Sequence, residues 1–275
     1  MDSLAKGRFI TATLVFALTQ IGAQPCAATQ DLHTQSAAAL LARDFADPDL
    51  SYLLLDEDGG IMAQRWERRE HDIPVGSLTK PFMAVAYGRM YRSFPKFRCT
   101  GGKTCWLQRG HGTLAVREAI AFSCNSYFHQ LVAHAGSGFR PAMESFALHA
   151  AGDQDGERPF TTASPLALAR AYLELTHHSR EPEVSPVLQG LALSAQKGTA
   201  KAVGVELPAM SALAKTGTAP CTHKKKAPGD GFAVVVFPAD HPRGVLLVRL
   251  HGRPGYMAAD VAARMIAKVE AGAAR

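Results

Sequence analysis

Asparagine is nearly absent from this chain, with Asn125 alone among 275 residues. Tryptophan is almost as scarce, at Trp66 and Trp106 only. No internal repeat or low-complexity tract is present, which excludes solenoids and extended linkers. Beyond the N-terminus, no apolar run approaches the ~20 residues that a membrane-crossing helix requires. The 11 histidines are scattered, and His177-His178 has no cysteine nearby. A metal site is therefore the weaker reading, and neither a metal nor a cofactor is expected. No nucleic-acid motif occurs. The net charge of +6 is dispersed, so basicity alone singles out no polyanionic partner.

What is present suits one large globular unit or two lobes, since 47% of residues are hydrophobic and the chain is long enough for an ample core. The first 28 residues read as a secretory signal, leaving residues 29–275 as the working domain. Lys6 and Arg8 form its basic region, Phe9 to Ala23 its mostly apolar stretch, and Ala27-Ala28 its small-residue cleavage site. An uncleaved anchor is the alternative. Removal of this segment leaves Cys99, Cys105, Cys124 and Cys221. In an exported protein an even count permits disulfides. Cys99 and Cys105 flank the Gly101-Gly102 turn and are the expected pair.

Periodicity places a helix over Ser36–Phe45, then a hairpin of Ser51–Leu55 and Ile61–Trp66 around an acidic, glycine-rich turn. Helices follow to about Tyr91, over Val116–Phe122, Ser126–Ala135 and Phe139–Ala150. Residues 152–159 read as a polar loop. A further helix is capped by Ser164 with Pro165 in its first turn, and another covers Ser185–Ser194. The last third changes period. Strands are expected over Met210–Thr218, Phe232–Phe237 and Val245–Leu250, with a closing helix over Met257–Ala271. The expected architecture is therefore α/β of the α+β type. One antiparallel sheet is built from both chain ends and flanked by helices, and a mostly helical subdomain lies beside it.

Ser77-Leu78-Thr79-Lys80 opens a helix, and three residues of helix put Ser77 and Lys80 on one face, about 5–6 Å apart at Cβ. A lysine there can take a serine proton if burial or a neighbouring cation lowers its pKa. Ser-x-x-Lys occurs four times in this chain, so the spacing alone selects nothing. Its company selects the second occurrence. Ser3 lies in the signal segment, Ser93 has Pro95 inside its motif and Ser194 comes after the Ser-x-Asn element, whereas Ser77 is followed by Ser123-Cys124-Asn125 and Lys215-Thr216-Gly217-Thr218, in the succession used by Ser–Lys acyl-transfer enzymes.

These motifs, with Cys105-Trp106, Gly110-His111-Gly112, Glu118 to Phe128 and Gly198-Thr199-Ala200, resemble the transpeptidase domain of class B penicillin-binding proteins from about Leu50 to Lys268. The resemblance implies the serine transpeptidase/β-lactamase-like fold. It implies Ser77 as nucleophile, Lys80 as its general base and Ser123 as a proton relay. Asn125 would hold the acyl chain's amide and the Lys80 amine. Lys215 would keep the site electropositive, and Thr216, Gly217 and Thr218 would bind substrate. The substrates implied are D-Ala-D-Ala stem peptides of peptidoglycan and β-lactams, in an exported setting with cell-wall synthesis proteins as partners.

Only about 48 residues separate Ala28 from Ser77, too few for the N-terminal pedestal usual in class B proteins. In size the chain is closer to class D β-lactamases. Those carry valine where Asn125 stands and a tryptophan further on, whereas here none follows Trp106. A β-lactamase and a β-lactam or muropeptide sensor remain the alternatives to a D,D-transpeptidase or carboxypeptidase.

Overall fold

The structure is a computed structural model that describes residues 32–139, 162–221 and 226–273. The expected signal segment, the 152–159 loop and most of the helix expected over Phe139–Ala150 lie outside the described residues.

The chain begins with helix α1 (Leu32–Asp44) and the hairpin β1 (Leu50–Asp56) and β2 (Ile61–Arg65). It returns to the same sheet only at its end, with β7 (Leu213–Ala219), β8 (Asp230–Phe237) and β9 (Gly244–Leu250), before the closing helix α8 (Gly255–Ala273). The strand order is β2-β1-β9-β8-β7, antiparallel at every pairing. The two chain ends thus meet at β1 and β9, where Leu50 faces Leu250 and Asp56 faces Gly244.

Alternation along the strands sorts the core into two layers. Phe232, Val234 and Val236 of β8, with Val245 and Leu247 of β9, face the helical subdomain. Ala233, Val235 and Phe237, with Leu246, Val248 and Leu250, face α1 and α8. Both faces of the central strands are covered. This explains why they read as continuous apolar runs rather than alternating ones.

Between the hairpin and β7 lies the helical subdomain. It contains β3 (Ile73–Pro74), α2 (Lys80–Tyr91), β4 (Phe97–Cys99), β5 (Gly112–Leu114), α3 (Val116–Ala121) and α4 (Asn125–Ala135). It continues with β6 (Thr162–Ala163), α5 (Pro165–His177), α6 (Ser185–Lys197) and the short α7 (Ala202–Glu206). Two-residue pairing of β3 with β6 and three-residue pairing of β4 with β5 fasten its loops. These pairings are too short to leave a periodic signal in sequence. Ser164 caps α5 as expected, its Oγ accepting the Ala167 N–H at 3.1 Å. Among the described residues no helix is long and apolar enough to cross a membrane.

Helix α2 is the axis of the subdomain, buried without a break from Lys80 to Gly88. A helix apolar on all sides is a core helix. It does not begin at Ser77, as the sequence suggested. A tight 3-10 turn over Gly76–Thr79 precedes it, and the Lys80 N–H donates to the Ser77 carbonyl. Tyr172 of α5 braces this turn by donating its hydroxyl to the Leu78 carbonyl at 2.6 Å, while its ring meets Phe82 edge-on at 5.0 Å.

Replacing Tyr172 by Phe strands a buried carbonyl while keeping the ring. Tyr172→Phe is expected to lower the unfolding free energy by about 1–3 kcal/mol in urea titrations; no change would mean that the turn is held by packing alone.

Candidate active site

Three separate elements bring the motif residues to one cleft. The 3-10 turn supplies Ser77, the α3–α4 connection supplies Ser123 and Asn125, and the edge strand β7 supplies Thr216, Gly217 and Thr218. The cleft has a volume of about 910 Å³ and is also lined by Trp106, Thr199 and Tyr256. In a 3-10 turn residues i and i+3 eclipse, which turns Ser77 and Lys80 to the same side.

Backbone proximity fixes the turn against the strand. Gly76 has φ 54°, and a Cβ there would lie 2.3 Å from the Thr218 carbonyl oxygen. On the strand's side, a Cβ on Gly217 would lie 2.6 Å from the Val75 carbonyl oxygen. Only paired glycines let the two backbones approach this closely. The approach sets the backbone of Ser77 beside that of Thr218.

The polar centre is Ser123. Its Oγ accepts from the Lys215 ammonium group at 2.8 Å and lies 3.4 Å from Lys80 Nζ. Lys80 Nζ also donates to the Ser123 carbonyl at 2.9 Å and to Asn125 Oδ1 at 2.5 Å, and it stands 5.4 Å from the centre of the Phe128 ring. Lys215 donates further to the Thr216 carbonyl at 2.7 Å. Both lysines are buried. Burial pushes the Lys80 amine down to about 7, partly opposed by the Cys124 and Cys105 thiols. Burial also pushes Lys215 well below the ordinary lysine range, and the neighbouring Lys80 pushes it the same way. Two amines that reach one hydroxyl cannot easily both be cations without a counter-anion. The site therefore favours a free amine beside a serine hydroxyl near neutral pH.

Ser123 itself is held in the left-handed region, with φ 50°. Its neighbours enforce this. The Ser123 N–H donates to Ile120 O at 3.1 Å and the Cys124 N–H to Ala119 O at 2.9 Å, closing α3. Cys124 then caps α4, its Sγ accepting the Tyr127 N–H at 3.4 Å. The reversal leaves Ser123 and Asn125 facing the cleft while Cys124 points into the core.

The expected Cys99–Cys105 bridge is not formed. Cys99 and Cys105 are both in the thiol form, as is Cys124. The imidazole of His111 stands against both thiols, with Nδ1 3.6 Å from Cys99 Sγ and 3.4 Å from Cys105 Sγ. Cys105 Sγ lies 4.0 Å from Cys124 Sγ. These four side chains have the donor types and the proximity to hold a tetrahedral ion. A second group, Cys221, Asp230 and His251, gathers where β7 and β9 end and β8 begins. There Asp230 joins His251 Nδ1 at 3.0 Å and accepts the Gly252 N–H at 3.0 Å, which ties β8 to the loop before α8.

The sequence singles out Thr199 within Gly198-Thr199-Ala200 without giving it a role; its Oγ1 accepts from the Thr216 hydroxyl at 2.6 Å. Sequence reasoning missed Trp106 as part of the cleft: the indole N–H donates to the Phe122 and Ser123 carbonyls at 3.2 and 3.3 Å, leaving the ring at the rim.

No protein-family model matches the sequence, and no curated protein does. Solved structures match the fold. Penicillin-binding protein PBP2 of Pseudomonas aeruginosa, in complex with WCK 5153, superposes with a TM-score of 0.70 at 18% identity, over 87% of this chain and 76% of that one. The chain has the fold of a penicillin-binding transpeptidase domain. The transpeptidase domain of the FtsI4 D,D-transpeptidase from Legionella pneumophila is similar at 18% identity and a TM-score of 0.64, covering 90% of this chain and 98% of its own. PBPA from Mycobacterium tuberculosis gives a TM-score of 0.68 at 15% identity, over 89% and 81%. The transpeptidase fold agrees with the five-stranded antiparallel sheet and its flanking helices.

The left-handed Ser123 carries a cost that only a residue without Cβ escapes. Ser123→Gly and Ser123→Ala both lose the hydroxyl, but Ser123→Gly is expected to be the more stable by about 1 kcal/mol. Parallel thermal melts of the two variants check this; equal stability would mean that the turn relaxes without the serine.

Proposed function

We propose that this protein is a serine acyltransferase of the penicillin-binding type, forming an acyl-enzyme on Ser77 with D-Ala-D-Ala stem peptides and with β-lactams. The observation that carries the reading is the convergence of Lys80 and Lys215 on the Ser123 hydroxyl, inside the cleft that Ser77 lines. In this reading the free amine of Lys80 accepts the Ser77 proton as Ser77 Oγ attacks the substrate carbonyl. Ser123, between the two amines, passes a proton to the leaving nitrogen. Lys215, Thr216 and Thr218 receive the substrate carboxylate, with Gly217 allowing close approach. Asn125 holds Lys80 and the amide of the acyl chain.

The oxyanion of the tetrahedral intermediate is assigned to the backbone N–H groups of Ser77 and Thr218. The glycine contact between turn and strand supports that pairing. Each such donor contributes about 2.7–4 kcal/mol to lowering the barrier. Neighbours in the same fold include a PBP2–MreC complex from Helicobacter pylori and a peptidoglycan synthase complex. They support a cell-wall setting and cell-wall protein partners for this chain, with an extracytoplasmic location.

Two observations favour a long-lived acyl-enzyme over a β-lactamase. Asn125 Oδ1 sits on Lys80 Nζ, where the class D β-lactamases, which the chain approaches in size, carry a valine beside a carboxylated lysine. No tryptophan follows Trp106. Whether the acceptor of the acyl group is an amine or water separates transpeptidase from carboxypeptidase, and stem-peptide turnover with and without an added amine decides it.

Incubation with a fluorescent penicillin is expected to give a stable mass adduct that Ser77→Ala abolishes. Antibiotic consumed in many-fold excess would mean a β-lactamase, and no adduct on the native chain would sink the acyl-enzyme reading. The rate of adduct formation should rise with pH through about 7, where Lys80 loses its proton, and level off above. A rate that falls over that interval would remove Lys80 as the base.

A further inference from the structure

At one end of the sheet, three strands bring a sulfur, a carboxylate and an imidazole together. Cys221 lies two residues past β7, Asp230 opens β8 and His251 follows β9. The register accounts for the meeting. Ala219 faces Asp230 and Gly231 faces Leu250, so the next step of the ladder sets Asp230 against His251. One donor atom from each of the three residues lies within 4.8 Å of the other two. The group borders the cleft without entering the acyl transfer: Thr218, three residues before Cys221, and Arg253, two after His251, both line it.

The carboxylate is already aimed. Asp230 is buried, its Oδ1 accepts the Gly252 N–H at 3.0 Å, and its Oδ2 lies 3.0 Å from His251 Nδ1. A backbone donor behind a carboxylate is the kind of outer support that orients a metal ligand. Zinc bonds of about 2.0–2.2 Å to nitrogen and oxygen, at angles of about 95–110°, separate two such donors by about 3.0–3.4 Å. A sulfur about 2.3 Å from the same ion belongs about 3.5 Å from each of them. Cys221 is partly exposed and stands beyond the strand, so its side chain has room to close to that distance. An Asp–His hydrogen bond accounts for two of the residues, but not for a thiol delivered to that pair from a third strand. Arg249 is near as well. Burial lowers its basicity, and Asp230 and Cys221 raise it. Its guanidinium is engaged elsewhere, stacked 4.7 Å from the Trp66 ring centre with Nη2 donating to Ser51 Oγ at 3.0 Å.

We propose that Cys221, Asp230 and His251 bind one zinc ion, with water in its fourth position, and that this ion staples the end of β7 to β8 and β9. Strand β7 is the last of the sheet and pairs with β8, yet it carries Lys215 to Thr218 along the cleft. Its other support comes from the start of α8. The Gly255 N–H donates to Thr218 Oγ1 at 3.2 Å, and a Cβ on Gly255 would lie 2.2 Å from the Gly217 carbonyl oxygen. The loop leading to Gly255 begins at His251. An ion held by Cys221 and His251 therefore clamps the strand end and that loop together, three residues beyond Thr218. Binding involves no change of oxidation state. The Cys221 thiol releases its proton to solvent as the zinc–sulfur bond forms, and waters leave the ion as the carboxylate and imidazole take their places.

The site stands apart from the acyl-enzyme reading. The group around Cys124 has metal donors of its own, so the test is a difference between chains. The full chain, dialysed against zinc, is expected to hold about one zinc more per chain than Cys221→Ser by elemental analysis. His251→Ala should lose the same ion, and Ser77→Ala should keep it. With cobalt in place of zinc, the native spectrum minus that of Cys221→Ser should show thiolate-to-metal absorption. Backbone hydrogen exchange at residues 217–219 should slow about tenfold when zinc is added to the native chain and stay unchanged in Cys221→Ser. If His251→Ala does not fold, the zinc and cobalt differences between the native chain and Cys221→Ser carry the test. Equal zinc in those two chains overturns the site. An ion lost in Cys221→Ser but kept in His251→Ala overturns the ligand set. An extra ion with exchange at 217–219 unchanged overturns the staple.

Discussion

Two buried lysine amines share one serine hydroxyl, and much of the subdomain exists to make that arrangement tolerable. Burying an ammonium group without a counter-charge is costly. The cost is offset by acceptors supplied at close range: Asn125 Oδ1 and the Ser123 carbonyl for Lys80, the Thr216 carbonyl for Lys215. Each acceptor must be aimed by something. The left-handed Ser123 aims its own carbonyl and hydroxyl, and Cys124 anchors the turn that aims them. Remove the enclosure and the amines regain ordinary basicity, at which a lysine is a cation and no base.

The same requirement explains the unusual interior of α2. A helix carrying a buried lysine at its first position needs apolar cover on every side, and it has it from Lys80 to Gly88. Its entry is stiffened from two directions. Tyr172 holds the Leu78 carbonyl from within the subdomain, and the backbone of β7 abuts Gly76 from the sheet. Turn and strand are therefore positioned by backbone contact, with side chains left free for the cleft.

Much of this was legible in the sequence, for identifiable reasons. The strands β8 and β9 were readable because apolar runs bounded by turn residues have few other meanings. The closing helix and the Ser164 cap followed from period and capping chemistry. The four-residue motifs were readable only jointly, since Ser-x-x-Lys recurs by chance and its company does not. What stayed hidden was set by tertiary approach. The 3-10 turn differs from an α-helical start by one hydrogen bond. The β3–β6 and β4–β5 pairings are two and three residues long. Cys99 and Cys105 look like a local disulfide when viewed along the chain. The fold interposes His111 and adds Cys124 from a distant connection, and no spacing rule announces that.

The meeting of β1 with β9 has a consequence for how the molecule comes into being. Partners such as Leu50 and Leu250 lie about 200 residues apart, so loop closure must be met before that pairing returns any energy. The early hairpin has an open edge until the last strands arrive. The strand carrying Lys215 joins the sheet only through β8, and β8 only through β9. The cleft wall that carries Lys215 is therefore tied through β8 and β9 to the hairpin at the other end of the sheet.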